Sequence, residues 1–361
     1  MAIDDRPYVP PKEGFYMTDA ISDHAVRMVQ DASQKPDPFL LYVAYTAPHW
    51  PLQAYPEDIA RYRGRYKQGW DKLREERYDR QVALGIIKSE WKLSTRYEKV
   101  PAWDSLSEKE QDEWDLRMAV YAAQIDRMDQ GIGRVLEALK KSGKIDNTIV
   151  LFLSDNGGSA EEKIGKGAQA QPEDPVPGGP KSFTSYHTPW ANVSNTPFRL
   201  FKHYTHEGGI ATPFIAWSPS YISRKNEFET TPAHVIDLHP TLLHLAHASY
   251  PTRFKGKATQ PLAGENIWPA IRGEASYHAR QFFWEHAGDR AFRDGDWKIV
   301  AGFKESWEIY NMATDRTETT DLSATEADRL HAMAARWQQW ANHVGVLPWE
   351  TLRAKKGSGI D

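Results

Sequence analysis

Two continuous apolar runs, Phe39-Leu40-Leu41-Tyr42-Val43-Ala44-Tyr45 and Thr148-Ile149-Val150-Leu151-Phe152-Leu153, constrain the fold most, because each follows a stretch with helical spacing. A run without polar alternation reads as a strand buried on both faces, the habit of parallel sheets covered by helices. Before the first run, Ile21, Ala25, Met28 and Val29 recur at i, i+4, i+7 and i+8 and predict an amphipathic helix over 18–31, closed by Pro36 and Pro38. Before the second, Ser107-x-x-Glu110 has the form of a capping box. It opens a long helix with apolar positions Trp114, Met118, Tyr121, Ile125, Met128, Ile132, Val135 and Leu139, stopped by Gly143. The alternation predicts an α/β fold: a central, mostly parallel sheet flanked by helices.

The remaining chain is read more coarsely. Residues 55–106 are expected as helical turns and loop, and 157–196, rich in Gly, Pro, Ser and Asn, as a long surface loop. Pro213-Phe214-Ile215-Ala216-Trp217 predicts a third strand, and a helix over 233–248 is expected to kink or break at Pro240. Beyond residue 275 the pattern changes to short strands at 281–284, 291–293, 297–300 and 307–310, with Asp294-Gly295 as a hairpin turn. An amphipathic helix over 324–343 and a frayed tail at 355–359 follow. The expected division is a larger α/β domain, 1–275, and a small antiparallel sheet with a packed helix, 276–361. No internal repeat is evident.

Composition narrows the function classes. Lys and Arg number 45 against 49 Asp and Glu, a formal charge of −4, too balanced for the basic footprint of a nucleic-acid binder. There are no cysteines, which excludes disulfides, thiolate metal sites and a cysteine nucleophile. No apolar run approaches the ~18 residues of a membrane helix, and Met1-Ala2-Ile3-Asp4-Asp5 lacks a signal pattern. The chain as written is therefore expected in the cytoplasm, with periplasm or secretion open for a longer protein. Its oligomeric state is left open.

Candidate chemistry gathers at strand ends. Asp155 and Asn156 follow the second apolar run, where open α/β sheets place ligands, and offer oxygens to a hard cation such as calcium or magnesium. Taken alone, Asp-Asn-Gly-Gly is more often a plain turn. His49, between Pro48 and Pro51 just past the first run, is placed to donate to an anion or protonate a leaving oxygen, or to pack in a turn. Lys202 and His206 could clamp an oxyanion or sit in a solvated basic loop.

In chain order, Ala47-Pro48-His49-Trp50-Pro51, Ser154-Asp155-Asn156-Gly157 and Asn195-Thr196-Pro197-Phe198-Arg199-x-x-Lys202 before Glu207-Gly208-Gly209 resemble the type I sulfatases, especially bacterial arylsulfatases. Phe15-Tyr16-x-Thr18-Asp19, Ile125-Asp126-Arg127-Met128-Asp129 and Ala233-His234-Val235-Ile236-Asp237-Leu238-x-Pro240-Thr241-Leu242 are similar to the same family. The resemblance spans nearly the whole chain. It implies an alkaline-phosphatase-like fold, hydrolysis of a small-molecule sulfate ester, and a calcium or magnesium ion held by Asp155 and Asn156. It further implies that Lys202 binds the sulfate and assists the leaving oxygen, that His49 is the general acid, and that Trp190, Asn192 and Asn195 line the substrate cleft. His206 is carried as a substrate-binding candidate and His187 as a residue without a family role.

The family's Cys/Ser-x-Pro-x-Arg motif, whose first residue becomes formylglycine, has one formal match, Ser249-Tyr250-Pro251-Thr252-Arg253. It falls after the third strand, where the family has a variable loop, and is read as a decoy. Asp4-Asp5 imitates the family's paired metal aspartates without a strand long enough to carry them. The expectation is a truncated sulfatase that lacks the formylglycine site and by itself binds calcium weakly or not at all. A phosphonate or phosphodiester hydrolase of the same superfamily and an inert remnant remain as alternatives.

Overall fold

The computed structural model describes residues 1–161, 177–274 and 280–356. The middle of the expected 157–196 loop, the expected boundary at 275/276 and the end of the expected tail lie outside these residues. In chain order the elements are β1 (Ala2–Ile3), β2 (Arg6–Pro7), α1 (Met17–Ser33), α2 (Pro56–Ala60), α3 (Gly69–Ala83), α4 (Glu108–Lys141), β3 (Val150–Leu153), α5 (His187–Ser194), α6 (Glu207–Ile210) and β4 (Phe214–Trp217). Then come α7 (Leu238–Leu245), β5 (Arg253–Phe254), β6 (Lys257–Ala258), α8 (Trp268–Ile271), β7 (Gln281–His286), β8 (Asp289–Asp294), β9 (Trp297–Ala301), β10 (Glu308–Asn311), α9 (Ala327–Val344) and α10 (Trp349–Lys356). The chain divides into two compact units, one of Met1–Leu73, Glu98–Thr148 and Ser159–Val193, the other of Arg74–Tyr97, Ile149–Gly158 and Ser194–Asp361.

In the first unit α1 packs along α4. The Ser107 capping box forms as its spacing requires: the Ser107 hydroxyl accepts from the Glu110 amide, and the Glu110 carboxylate accepts from the Ser107 amide. Of the expected stripe of large residues on α4 only Leu139 lies on its deepest line. Asp115, Ala119, Val120, Ala123, Gln124, Gly131, Ala138 and Leu139 are buried, whereas Ile125 is exposed. Small residues line the contact because α1 approaches closely: a Cβ on Gly131 would stand 2.1 Å from the Ser22 hydroxyl oxygen and 2.9 Å from that of Tyr45. The 39–45 segment, expected as a buried strand, pairs with no strand among the described residues. Leu41 packs on the α1–α4 core, while Phe39, Leu40 and Tyr42 are exposed. An apolar run establishes that a segment seeks cover, not that a partner strand lies beside it.

The same unit holds an aromatic cluster. The Trp70 ring meets Trp103, Trp114 and Trp190 at centroid distances of 4.7, 5.6 and 5.6 Å, each nearly perpendicular, the edge-to-face geometry aromatic quadrupoles prefer. Asp115 is fully buried among these elements and accepts from the Gly64 and Tyr66 amides at 2.9 Å and from Arg63, so one carboxylate folds the 63–66 turn onto α4.

The second unit contains β3 and β4, which pair antiparallel from Val150↔Trp217 to Leu153↔Phe214, where a parallel sheet is expected. Helix–strand alternation predicts burial and class, but fixes neither neighbour nor direction. The helix expected over 233–248 is a 3-10 turn, Val235–Asp237, followed by α7. Pro240 stands in the first turn of α7, where its missing N–H would have no intrahelical partner.

The C-terminal sheet matches expectation closely. Its order is β10-β9-β8-β7, all antiparallel, and Gly295 takes φ 59° in the Asp294-Gly295 turn. Helix α9 lays Leu330, Met333, Trp337 and Ala341 on Phe292, Ile299 and Ile309. The Trp337 indole donates to the Trp284 carbonyl at 3.0 Å. Trp337→Ala removes this large buried ring and is expected to cost ~3–5 kcal/mol, read as a lower urea midpoint for the second unit.

Candidate functional site

Strand β3 delivers Ser154-Asp155-Asn156-Gly157-Gly158 to its carboxyl end. The turn is held by backbone contacts within the second unit. The Ser154 amide donates to the Pro213 carbonyl at 3.3 Å, the Gly157 amide to the Gly209 carbonyl at 3.0 Å, and the Gly158 amide to the Asn195 side-chain oxygen at 2.8 Å. Lys202 closes the arrangement, its amide donating to the Gly158 carbonyl at 3.1 Å. The Asn195 amide nitrogen in turn donates to the Leu200 carbonyl at 2.9 Å, so this one side chain ties the turn to the Lys202 segment.

The glycines explain how two turns come this close. A Cβ on Gly157 would lie 1.8 Å from the Gly208 carbonyl oxygen, one on Gly208 2.2 Å from that of Arg199, and one on Gly209 2.0 Å from that of Tyr204. Real Cβ contacts do not reach such distances, so backbone rests on backbone and side chains are excluded. Asp-Asn-Gly-Gly and Glu-Gly-Gly are thus two halves of one interlock.

The metal-ligand candidates sit on its rim. Asp155 is exposed and makes no hydrogen bond or ion pair among the described residues, while Asn156 donates from its side-chain nitrogen to the Gly157 carbonyl at 2.9 Å. These oxygens are of the kind a hard cation takes. Among the described residues no group of three or more His, Cys, Asp or Glu is placed to hold a metal ion.

His49, Trp190 and Asn192 belong to the first unit. His49 is exposed at the end of a turn closed by its amide donating to the Thr46 carbonyl at 3.0 Å. Its Nδ1 donates to the Trp50 carbonyl at 2.8 Å. Trp50 donates to the Glu161 carboxylate at 2.7 Å and meets Phe183 edge-on, and the Leu52 amide donates to the Thr184 carbonyl at 2.9 Å, so the 178–184 segment braces this turn.

Four residues expected to face a ligand are committed elsewhere. Trp190 is fully buried in the tryptophan cluster and donates to the Trp114 carbonyl at 2.9 Å. Asn192 is buried on α5, a helix inside the region expected as loop, and Asn195 is engaged with backbone as described. His206 is buried with Nε2 3.2 Å from Glu308. An aromatic or amide near a motif is drawn inward by packing and backbone satisfaction as readily as outward by a ligand. His187 is also buried, at φ 64°; burial and then the Arg117 cation push its imidazole down to about 4. Ser249 lies exposed between α7 and β5.

The sequence reading missed the charges beneath the interlock. Glu207 receives Lys298 Nζ at 2.8 Å and Arg316 Nε at 3.1 Å, and its amide donates to the Glu318 carboxylate at 2.9 Å. Lys298 also contacts Glu318 at 2.7 Å, and none of Glu207, Lys298 and Glu318 reaches solvent appreciably. Arg199 donates to the Tyr310 hydroxyl at 3.0 Å and to the Glu318 carbonyl at 3.2 Å, and pairs with Glu308 at 3.4 Å. Burial alone would raise the Glu207 carboxyl, but Lys298 and Arg316 outweigh it and hold the group well below the usual glutamate range.

Compared with known proteins, residues 1–248 match the sulfatase family and residues 198–339 match the family described as N-sulphoglucosamine sulphohydrolase, C-terminal. An uncharacterized sulfatase of Schizosaccharomyces pombe is 33% identical over 93% of this chain and 63% of its own length. An arylsulfatase of Klebsiella aerogenes is 33% identical over 77% of this chain and 60% of its own. The crystal structure of Ps i-CgsB in complex with k-i-k-neocarrahexaose superimposes with a TM-score of 0.61 at 27% identity, covering 94% of this chain and 57% of that one. The chain thus spans about three fifths of the length of these relatives. The likeness carries an alkaline-phosphatase-like α/β fold with a small antiparallel C-terminal sheet.

Two outcomes follow from this geometry. Gly157→Ala is expected to destabilise the second unit by more than ~1 kcal/mol, whereas Gly133→Ala, in the helix interior with nothing within 4 Å, is expected to stabilise by ~0.5–1 kcal/mol; urea denaturation compares them. A carboxyl depressed by folding stabilises the protein above its unfolded value of about 4, and that stabilisation is lost as pH falls further. The urea midpoint should therefore fall as pH drops below about 4, less steeply in Glu207→Gln than in the parent.

Proposed function

The chain belongs to the sulfatase family, and from that premise we propose that it carries part of the site of a sulfuric ester hydrolase acting on small sulfate esters. The observation that carries this reading is the backbone interlock joining the Asp155-Asn156 turn to the Lys202 segment. It ties the backbone of the segment carrying Lys202 to the turn carrying Asp155 and Asn156 at a strand end, which supports reading their side chains as parts of one site.

In this reading the Lys202 ammonium binds sulfate oxygens and offsets the charge that moves to the ester oxygen as the sulfur–oxygen bond breaks. His49, whose Nδ1 donates to the Trp50 carbonyl, is the proposed general acid for the departing oxygen. Asp155 and Asn156 would contribute two oxygens to a calcium or magnesium ion, which when bound polarises a sulfate oxygen. Trp190, Asn192, Asn195 and His206 stay in this reading as substrate-side residues on the strength of the family resemblance. The substrate is proposed as a sulfated sugar or aryl sulfate, in keeping with a relative named N-sulphoglucosamine sulphohydrolase and a structure holding a neocarrahexaose.

The test is turnover of 4-nitrophenyl sulfate by the protein that carries this chain. Lys202→Ala is expected to lower kcat/KM by ~10²–10³-fold, and His49→Ala to lower it by ~10²-fold on 4-nitrophenyl sulfate and less on an ester with a better leaving group, since a good leaving group needs little protonation. Unchanged turnover in both variants, or preference for a phenyl phosphonate over the sulfate, would overturn the assignment.

A further inference from the structure

We propose that Lys298, on β9 of the C-terminal sheet, is a positioning residue for Lys202, acting through Glu207 and the glycine interlock. The proposal rests on the sulfate-ester reading above. Lys298 is completely buried between Lys-facing carboxylates of Glu207 and Glu318, at 2.8 and 2.7 Å. Such a burial is not explained by stability: an apolar residue of similar volume commonly serves a core as well or better, because desolvating charges costs what their attraction returns. What a buried, multiply bonded charge does supply is one required arrangement, since any other leaves a charge unpaired.

That arrangement is transmitted along a short path. Glu207 is fixed twice, by its carboxylate on Lys298 and Arg316 and by its amide on Glu318. The next residue, Gly208, donates from its amide to the Arg199 carbonyl at 3.0 Å, and the Gly209 carbonyl accepts from Gly157 at the same distance. Gly158, adjoining, accepts from the Lys202 amide. Because no Cβ fits at Gly157, Gly208 or Gly209, the path has no slack, and a displacement of Glu207 is passed to the Asp155-Asn156 turn and to Lys202. Arg199, between Asn195 and Lys202 in sequence, anchors the same segment to Tyr310 and Glu318. Arg199, Lys298 and Arg316 face Glu207, Glu308 and Glu318, and removing Lys298 takes from both Glu207 and Glu318 their shared ion-pair partner.

The experiment uses the protein that carries this chain, with Lys298→Met, Arg316→Met and Arg316→Lys. Arg316 is about one-third exposed, so its replacement tolerates folding even where Lys298→Met does not. Hydrogen exchange is followed by peptide, alongside melting and 4-nitrophenyl sulfate kinetics. Positioning predicts faster exchange at 154–158 and 198–209 with β7 and β8 still protected, kcat lower by ~10–100-fold, KM changed little, and recovery in Arg316→Lys. A lower melting temperature with unchanged exchange at 154–158 and unchanged kcat overturns the proposal, as does exchange accelerated equally throughout the second unit. Lys202→Ala, run in parallel, separates the two readings: if it leaves turnover intact, the sulfate-ester assignment fails, while exchange at 154–158 still decides whether Lys298 governs the turn.

Discussion

A charge withdrawn from water must find its partners in the protein, and the second unit is organised around that requirement. Lys298 emerges from a strand whose neighbours Ile299 and Val300 are fully buried, and its own side chain is fully buried with them. Glu207 and Glu318 supply the counter-charges, and Arg316 restores the balance. The consequence is specificity more than strength. Glu207 is on the short helix α6, far in sequence from β9, and the pairing seats α6 against Lys298 of the sheet and Glu318 beyond β10.

Glycine makes the seating fine-grained. Charges set which segments meet, and carbonyl oxygens resting where a Cβ would be set how closely they meet. The Asn195 side chain then joins the two turns, accepting from Gly158 and donating to Leu200, which uses both ends of one amide on backbone. Asp155 is left exposed on this frame, without a hydrogen bond or ion pair among the described residues. An exposed carboxylate on a rigid support is ready to bind without reorganising the support.

The first unit reaches rigidity by another route. Gly131 lets α1 and α4 touch, Asp115 gathers three donors from the 63–66 turn, and four tryptophans close the space above with perpendicular rings. Asp19 binds Arg127 through two contacts of 2.8 Å and ties α1 to α4 again. These are contacts between residues of modest size or unlike character. Hydrophobic periodicity weighs large apolar side chains, and on α4 it therefore finds the flanks of the contact while the small residues that permit it go unweighted.

The same limit governs what was legible of the candidate site. Local rules were sufficient wherever the cause is local: the Ser107 cap, the Asp294-Gly295 turn, the stripe on α9 and the position of Asp155 after an apolar strand all follow from residues a few places apart. They failed where the cause lies a hundred residues away. Nothing near Phe39–Tyr45 says whether a strand will lie beside it, and nothing near Glu207 announces a lysine 91 positions later. Trp190 and His206 have partners that motif position could not announce, the Trp114 carbonyl and Glu308. Yet one long-range feature did leave a local trace. Paired glycines in Asp-Asn-Gly-Gly and in Glu-Gly-Gly are costly in conformational entropy, and neither pair ends a long helix. Two such pairs, each beside a charged residue, are the pattern expected when two turns must pack backbone against backbone, and they mark the interlock before any coordinate is known.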